Sequence, residues 1–244
     1  MKFLVLMLIY VSLFGNIGNI MAMKGSAEVK RESKSLNASS GMELFQGDEI
    51  LTKEKSRVQV MLRDDTVITI GSNSEFSFEE FSQEGENSKV SMRAKRGFFR
   101  SVTGKIGKLA PERFKVKTAS ATIGIRGTDF SGDITVEREI FKCFEGAIFV
   151  EFDGSINELD AGMMMEVIGT KYEIQEFDAS KVKDSIEKME GMKGVIIKSM
   201  DKSDIPTEVV SDITQIIESI EEGEPPVEEP FEMTLTPEDR EIQY

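Results

Sequence analysis

The sequence predicts a mainly β fold, a short irregular β-solenoid-like or sandwich-like domain followed by one or two amphipathic helices and a disordered acidic tail. Three observations carry this expectation. From Met23 to Tyr172 apolar residues alternate with polar ones, glycine turns recur ahead of apolar runs, and after Tyr172 the apolar spacing becomes helical.

The alternation is clearest in RVQVMLRDDTVITIGSNSEFSFEEF, residues 57–81, where Val58, Val60, Leu62, Ile68, Ile70, Phe76 and Phe78 all fall on even positions. Side chains on a strand point alternately to opposite faces, so these residues share one inward face. Asp64-Asp65 and Gly71-Ser72-Asn73 separate the three strands, and these residue types tolerate or cap turn conformations. The stretches QGDEILT (46–52), RGFFRSV (96–102) and EGAIFVEF (145–152) each read as a glycine turn followed by a strand. Leu159-Asp160-Ala161-Gly162 leads into another strand from Met163 to Val167. The insert SQEGENSK at 82–89 breaks any strict repeat, which points to irregular coils.

The two ends follow other rules. A lysine, an apolar run from Phe3 to Phe14 and then small residues up to Ala22 form the grammar of a secretory leader over 1–22. Ile20 stands where a small residue is preferred, so an uncleaved N-terminal anchor is the alternative. The β domain is placed at 23–172 and a helical region at 173–222. In that region Val182, Ile186 and Met189 mark one helix, and Val209, Ile213, Ile216, Ile217 and Ile220 mark a second, opened by Pro206 and Thr207. Residues 223–244 mix proline with acid and read as disordered. No later run is long enough to span a membrane, so the mature chain is expected in the periplasm or secreted.

Composition narrows the function. The chain has no histidine, which removes the commonest general base and metal ligand; no metal or cofactor is expected. The single thiol, Cys143, cannot form an internal disulfide and reads as a small buried hydrophobe. Charge is uneven: from Asp204 to Tyr244 there are 13 acidic residues against Arg240, whereas residues 85–126 hold 11 basic residues against Glu86 and Glu112. In RFKVKTA, Arg113, Lys115 and Lys117 alternate with Phe114, Val116 and Thr118 and so share a solvent face. This basic strip is either a solvated face or a binding strip for an envelope protein, an anionic envelope polymer or the acidic tail. An exported, net acidic chain makes nucleic acid an improbable partner.

In ATIGIRGTDF, residues 121–130, Gly124 and Gly127 bracket Ile125 and Arg126. Glycine inside a strand marks a bulge, a bend or close backbone approach, so the flanking segments FKVKT and FSGDITV are expected as separate strands meeting at a corner. Arg126, with Thr128 and Asp129, is then a clasp for carbonyls unpaired at that corner. The alternative makes Arg126 a ligand anchor continuing the strip of Arg113, Lys115 and Lys117. Catalysis would need a carboxylate pair such as Asp64 with Asp65 or Glu79 with Glu80. Neighbours on a strand face opposite ways and cannot flank one glycosidic bond, so a glycan hydrolase is the lesser alternative and the chain is expected not to be an enzyme.

Taken in order, KGSAEVKR, LFQGDEILTKEKSRVQVMLRDDTVITIGSNSEFSF, AKRGFFRSV, FKVKTASATIGIRGTDFSGDI and CFEGAIFVEF resemble the FecR-like domain family over about residues 24–169. The resemblance implies a non-catalytic β module of the bacterial envelope that recognises protein or envelope material. In the family's best-known architecture the module follows a sigma-binding domain and a membrane helix. This sequence shows a leader there instead, so sigma-factor regulation is not carried over. The implied roles are periplasmic sensing, scaffolding, or a structural part of an envelope assembly.

Overall fold

The computed structural model describes residues 15–182. The two helices expected after Val182, and the acidic tail, lie outside the described residues. The strands in chain order are β1 (Gly18–Lys24), β2 (Ala27–Arg31), β3 (Lys34–Asn37), β4 (Glu43–Leu44), β5 (Glu49–Thr52), β6 (Arg57–Leu62), β7 (Val67–Ile70) and β8 (Glu75–Ser82). They continue as β9 (Lys89–Val102), a short helix α1 (Lys105–Leu109), β10 (Phe114–Lys117), β11 (Ala121–Ile134), β12 (Glu139–Phe152), β13 (Ser155–Asp160), β14 (Met163–Ile168) and β15 (Lys171–Glu176). The fold is mainly β, and no helix among the described residues is long and apolar enough to cross a membrane.

Two series of pairings share three long strands. One series runs β4, β1, β6, β7, the second half of β9, the second half of β11, the first half of β12, β14 and β15. The other runs β3, β2, β5, β8, the first half of β9, β10, the first half of β11, the second half of β12 and β13. The even-numbered residues Val58, Val60, Leu62, Ile68, Ile70, Phe76 and Phe78 are all buried, as alternation requires. They join Ile50, Phe99, Val116, Ile123 and Phe130 in one apolar core, where the rings of Phe76 and Phe99 meet at 5.5 Å across the two series.

The hand-over inside each long strand falls at a glycine in left-handed conformation: Gly97 (φ 86°), Gly127 (φ 58°) and Gly146 (φ 75°). These positions bend the chain without ending the strand. RGFFRSV and EGAIFVEF are therefore not turns followed by strands but the second halves of β9 and β12. Likewise FKVKT and FSGDITV do not meet at a corner; ATIGIRGTDF lies within the single strand β11, whose register with β12 jumps between Arg126 and Asp129. A Cβ on Gly146 would collide with the carbonyl oxygen of Gly127, so the bulge needs glycine at 146. Gly124 has no such need: its nearest neighbour lies at 3.9 Å and its φ is ordinary.

Both ends of the expected β domain are displaced. The sheet begins at Gly18, ahead of the Met23 boundary, and Ile17, Ile20 and Ala22 are buried in the core. At the other end Lys171–Glu176 is a strand paired with β14, where a helical region was expected from residue 173. Helical backbone starts only at residue 179, where the Asp178 carboxylate accepts hydrogen bonds from Ser180 Oγ (2.7 Å) and the Lys181 amide (3.2 Å).

Candidate functional site

Three buried aspartates of the sequence motifs are consumed by the fold. Asp48, of QGDEILT, accepts a bidentate pair from Arg31 (2.8 and 2.7 Å) and the Phe45 amide (2.9 Å), which closes its turn. Asp64 accepts from the Thr66 hydroxyl (2.8 Å) and the Ile106 amide (3.3 Å), holding the start of α1 against the β6–β7 turn. Asp129 accepts a bidentate pair from Arg100 at 2.9 and 2.8 Å, with both side chains almost wholly buried.

The clasp of the IRGTDF segment is thus Arg100 with Asp129, and Arg126 is not part of it. Arg126 is 64% exposed in its side chain, pairs with Glu158 of β13 at 3.4 Å and lies over the Phe149 ring at 5.8 Å. Thr128 is tied through its backbone: its amide donates to Thr103 Oγ1 (2.8 Å) and its carbonyl accepts from the Thr103 amide (2.9 Å). Strand alternation explains the difference, because Arg126 shares the outward face of β11 with Thr122 and Gly124, while Ala121, Ile123 and Ile125 point inward.

Lys115 and Lys117 point outward from β10, between the buried Phe114 and Val116, while Arg113 sits in the 3-10 turn just before the strand. The three line one open groove of about 490 Å³ with Lys89, Glu80 and Glu112. Arg126 stands outside it. The basic segment is largely neutralised by acids from β5 and β8. Glu79 receives Arg93 (2.6 Å) and Lys117 (2.8 Å), and Lys95 reaches both Glu49 (2.5 Å) and Glu75 (2.8 Å). Glu80 pairs with Lys89. Burial pushes the Glu79 carboxyl up, but hydrogen bonds from Lys117 and Arg93 outweigh it and hold it below the usual carboxylate range. Hydrogen bonding from Lys95 likewise lowers Glu75, and Glu49 followed by Glu75 raises Lys95. The Lys115 side chain makes no hydrogen bond or ion pair among the described residues, while its backbone pairs within the sheet.

A second groove, of about 760 Å³, adjoins the first through Glu112 and Arg113 and is lined by Ile106, Leu109 and Ala110 of the α1 region. Leu109 is 83% exposed there. This apolar knob is not legible in the sequence, since the surrounding KIGKLAPER has neither clear strand nor helix periodicity over so short a run. Cys143 is buried, and burial pushes its thiol up to about 11. Among the described residues no group of three or more acidic or cysteine side chains is arranged to hold a metal ion.

Residues 48–149 match the sequence model of the family described as FecR protein. Two crystal structures from Parabacteroides distasonis ATCC 8503, at 2.50 and 1.65 Å resolution and described as anti-sigma factors, are similar with TM-scores of 0.49 and 0.46. They share 19% and 20% identity with this chain; each alignment covers 57% of it and less than two thirds of the other chain, 63% and 64%. No curated protein matches the sequence.

Proposed function

Because the chain carries a FecR domain over residues 48–149, we propose that it is a non-catalytic, exported recognition module that senses or scaffolds at the cell envelope, binding a protein through the grooves around α1 and β10. One observation carries the location: the exposed Leu109 lines one groove, Lys115, whose side chain has no partner among the described residues, lines the other, and the half-buried Arg113 borders both. An apolar anchor flanked by cations suits a partner segment that is apolar at its centre and acidic at its rim. The rest of the basic strip is a weaker docking surface, because Lys117, Arg93 and Lys95 are already held by Glu79, Glu75 and Glu49. For the fold we favour the sandwich-like reading over the solenoid-like one, since every strand pairing except β9 with β10 is antiparallel.

A carboxylate-dependent glycan hydrolase is disfavoured by the same geometry. A general acid needs a raised pKa, and Glu79 is held low, while Asp64 spends its lone pairs inside the fold. The test is site-specific photo-crosslinking in intact cells, with the probe at Leu109 or Lys115 and, as control, at Lys55 on a distant turn. A discrete product from Leu109 and from Lys115, with the Leu109 product lost in Lys115→Glu and none from Lys55, supports the reading. Equal labelling at all three positions rejects it.

A further inference from the structure

We infer that residues 17–22 remain in the mature protein, with Ile17 in the core and Gly18–Ala22 in strand β1, so that any leader cut falls before Ile17 and not after Ala22. The inference concerns processing and holds for any partner of the grooves. It rests first on burial: Ile17 is 3%, Ile20 0% and Ala22 1% exposed. It rests next on pairing. Six residues of β1, from Gly18 to Lys24, are in register with β6, and β4 has β1 as its only strand neighbour among the described residues. The Ile17 amide donates to the Leu44 carbonyl (2.8 Å), the Ile20 amide to Met42 (2.9 Å), and the Gly41 and Arg63 amides donate back to Ile20 (2.7 Å) and Ile17 (2.9 Å). Gly18 is fitted to its place, since a Cβ there would strike the carbonyl oxygen of Met61.

A cut after Ala22 would remove most of this before the domain folds. Only Met23 and Lys24 would still pair with β6, β4 would lose its only strand neighbour among the described residues, and the core would lose two isoleucines. Polar backbone groups without partners and unfilled core volume both destabilise. The leader grammar agrees from the opposite direction. A peptidase site wants small residues at both the last and the third-last position, and Ile20 spoils the second of these at Ala22. That same isoleucine is completely buried. The residue that makes a poor cleavage site makes a good core strand, so one reading accounts for both facts.

Two measurements decide it. The full chain with its own N-terminus and a C-terminal tag is expressed in a Gram-negative host, and the purified product is weighed intact and its first peptide sequenced. A first residue at or before Ile17, including an uncut Met1, is expected; any later first residue overturns the inference. Independently of export, chains 15–244 and 23–244 are made without the leader in the cytoplasm and melted. The shorter chain should lose its cooperative transition or melt lower by about 10 °C or more, given the usual few degrees per kcal/mol for a domain of this size. Equal melting temperatures overturn it. If export fails, the melting comparison still decides, so a wrong reading of location and a wrong reading of β1 remain distinguishable.

Discussion

Replacing Arg100 by methionine would leave the Asp129 carboxylate buried without its bidentate partner, a change that the geometry makes expensive. The two hydrogen bonds at 2.9 and 2.8 Å join side chains that are only 8% and 4% exposed. Removing one partner of such a buried pair costs about 3 to 5 kcal/mol, because the surviving charge is stranded in a poorly solvated site. At about 2 to 4 °C per kcal/mol for a domain of this length, the melting temperature should fall by about 10 °C. Arg126→Lys is the matched control. Its ion pair with Glu158 is half-exposed and long, and such pairs contribute about 0 to 1 kcal/mol, so the change should be about 4 °C or less. The double variant Arg100→Met with Asp129→Leu removes both charges and should recover a large part of the loss. Thermal unfolding followed by circular dichroism measures all four chains. If Arg126→Lys costs as much as Arg100→Met, or the double variant is no more stable than the worse single one, the assignment of the clasp to Arg100 and Asp129 is wrong.

Three further outcomes follow from the same structure. Gly146→Ala should destabilise by about 2 to 3 kcal/mol, because its left-handed φ and the Gly127 carbonyl both oppose a side chain, whereas Gly124→Ala should be neutral or slightly stabilising in the same melting assay. With its thiol pushed up to about 11, Cys143 should have about one molecule in a thousand as thiolate at pH 8. Native protein should therefore resist a maleimide reagent that labels the urea-unfolded chain fully; rapid native labelling would contradict the burial. Acid should weaken the β8–β9–β10 face. Glu79 has a folded pKa below its unfolded value, so its contribution is complete above the ordinary carboxylate pKa, about 4.3, and is lost as pH falls through the lowered one. Glu79→Gln should lower stability at pH 7 and flatten the acid limb of a pH-stability curve.

The parts of this fold written in short-range pattern were legible in the sequence. Val58 to Phe78 on even positions, the turn at Asp64-Asp65, and Lys115 and Lys117 facing out between Phe114 and Val116 all follow from a period of two. What depends on residues distant in the chain was not. Glu79 and Lys117 meet because β8 and β10 flank β9, and nothing local in either segment announces the other. Arg100 and Arg126 both follow an apolar residue in a strand, so alternation alone could not say which was buried. The decisive fact is that Phe99, Arg100 and Ser101 are all buried, because the second half of β9 is covered on both faces. The N-terminal boundary failed for a similar reason: the small residues after the apolar run, GNIGNIMA, read locally as the end of a leader, and only the pairing with β6 shows Gly18–Ala22 to be strand.

The three shared strands also constrain how this chain could have changed over time. Each of β9, β11 and β12 has one half among one set of neighbours and the other half among another. A recombination crossover anywhere from Lys89 to Phe152 would hand each descendant strands whose partners went to the other. Among the described residues the stretch from Lys89 to Phe152 therefore has no internal seam, and change enters more easily through connections between strands, such as residues 83–88, 103–113 and 135–138. The longest of these carries Leu109 and runs to Arg113, so its exposed residues, though not the anchored Thr103 and Ile106, border both grooves.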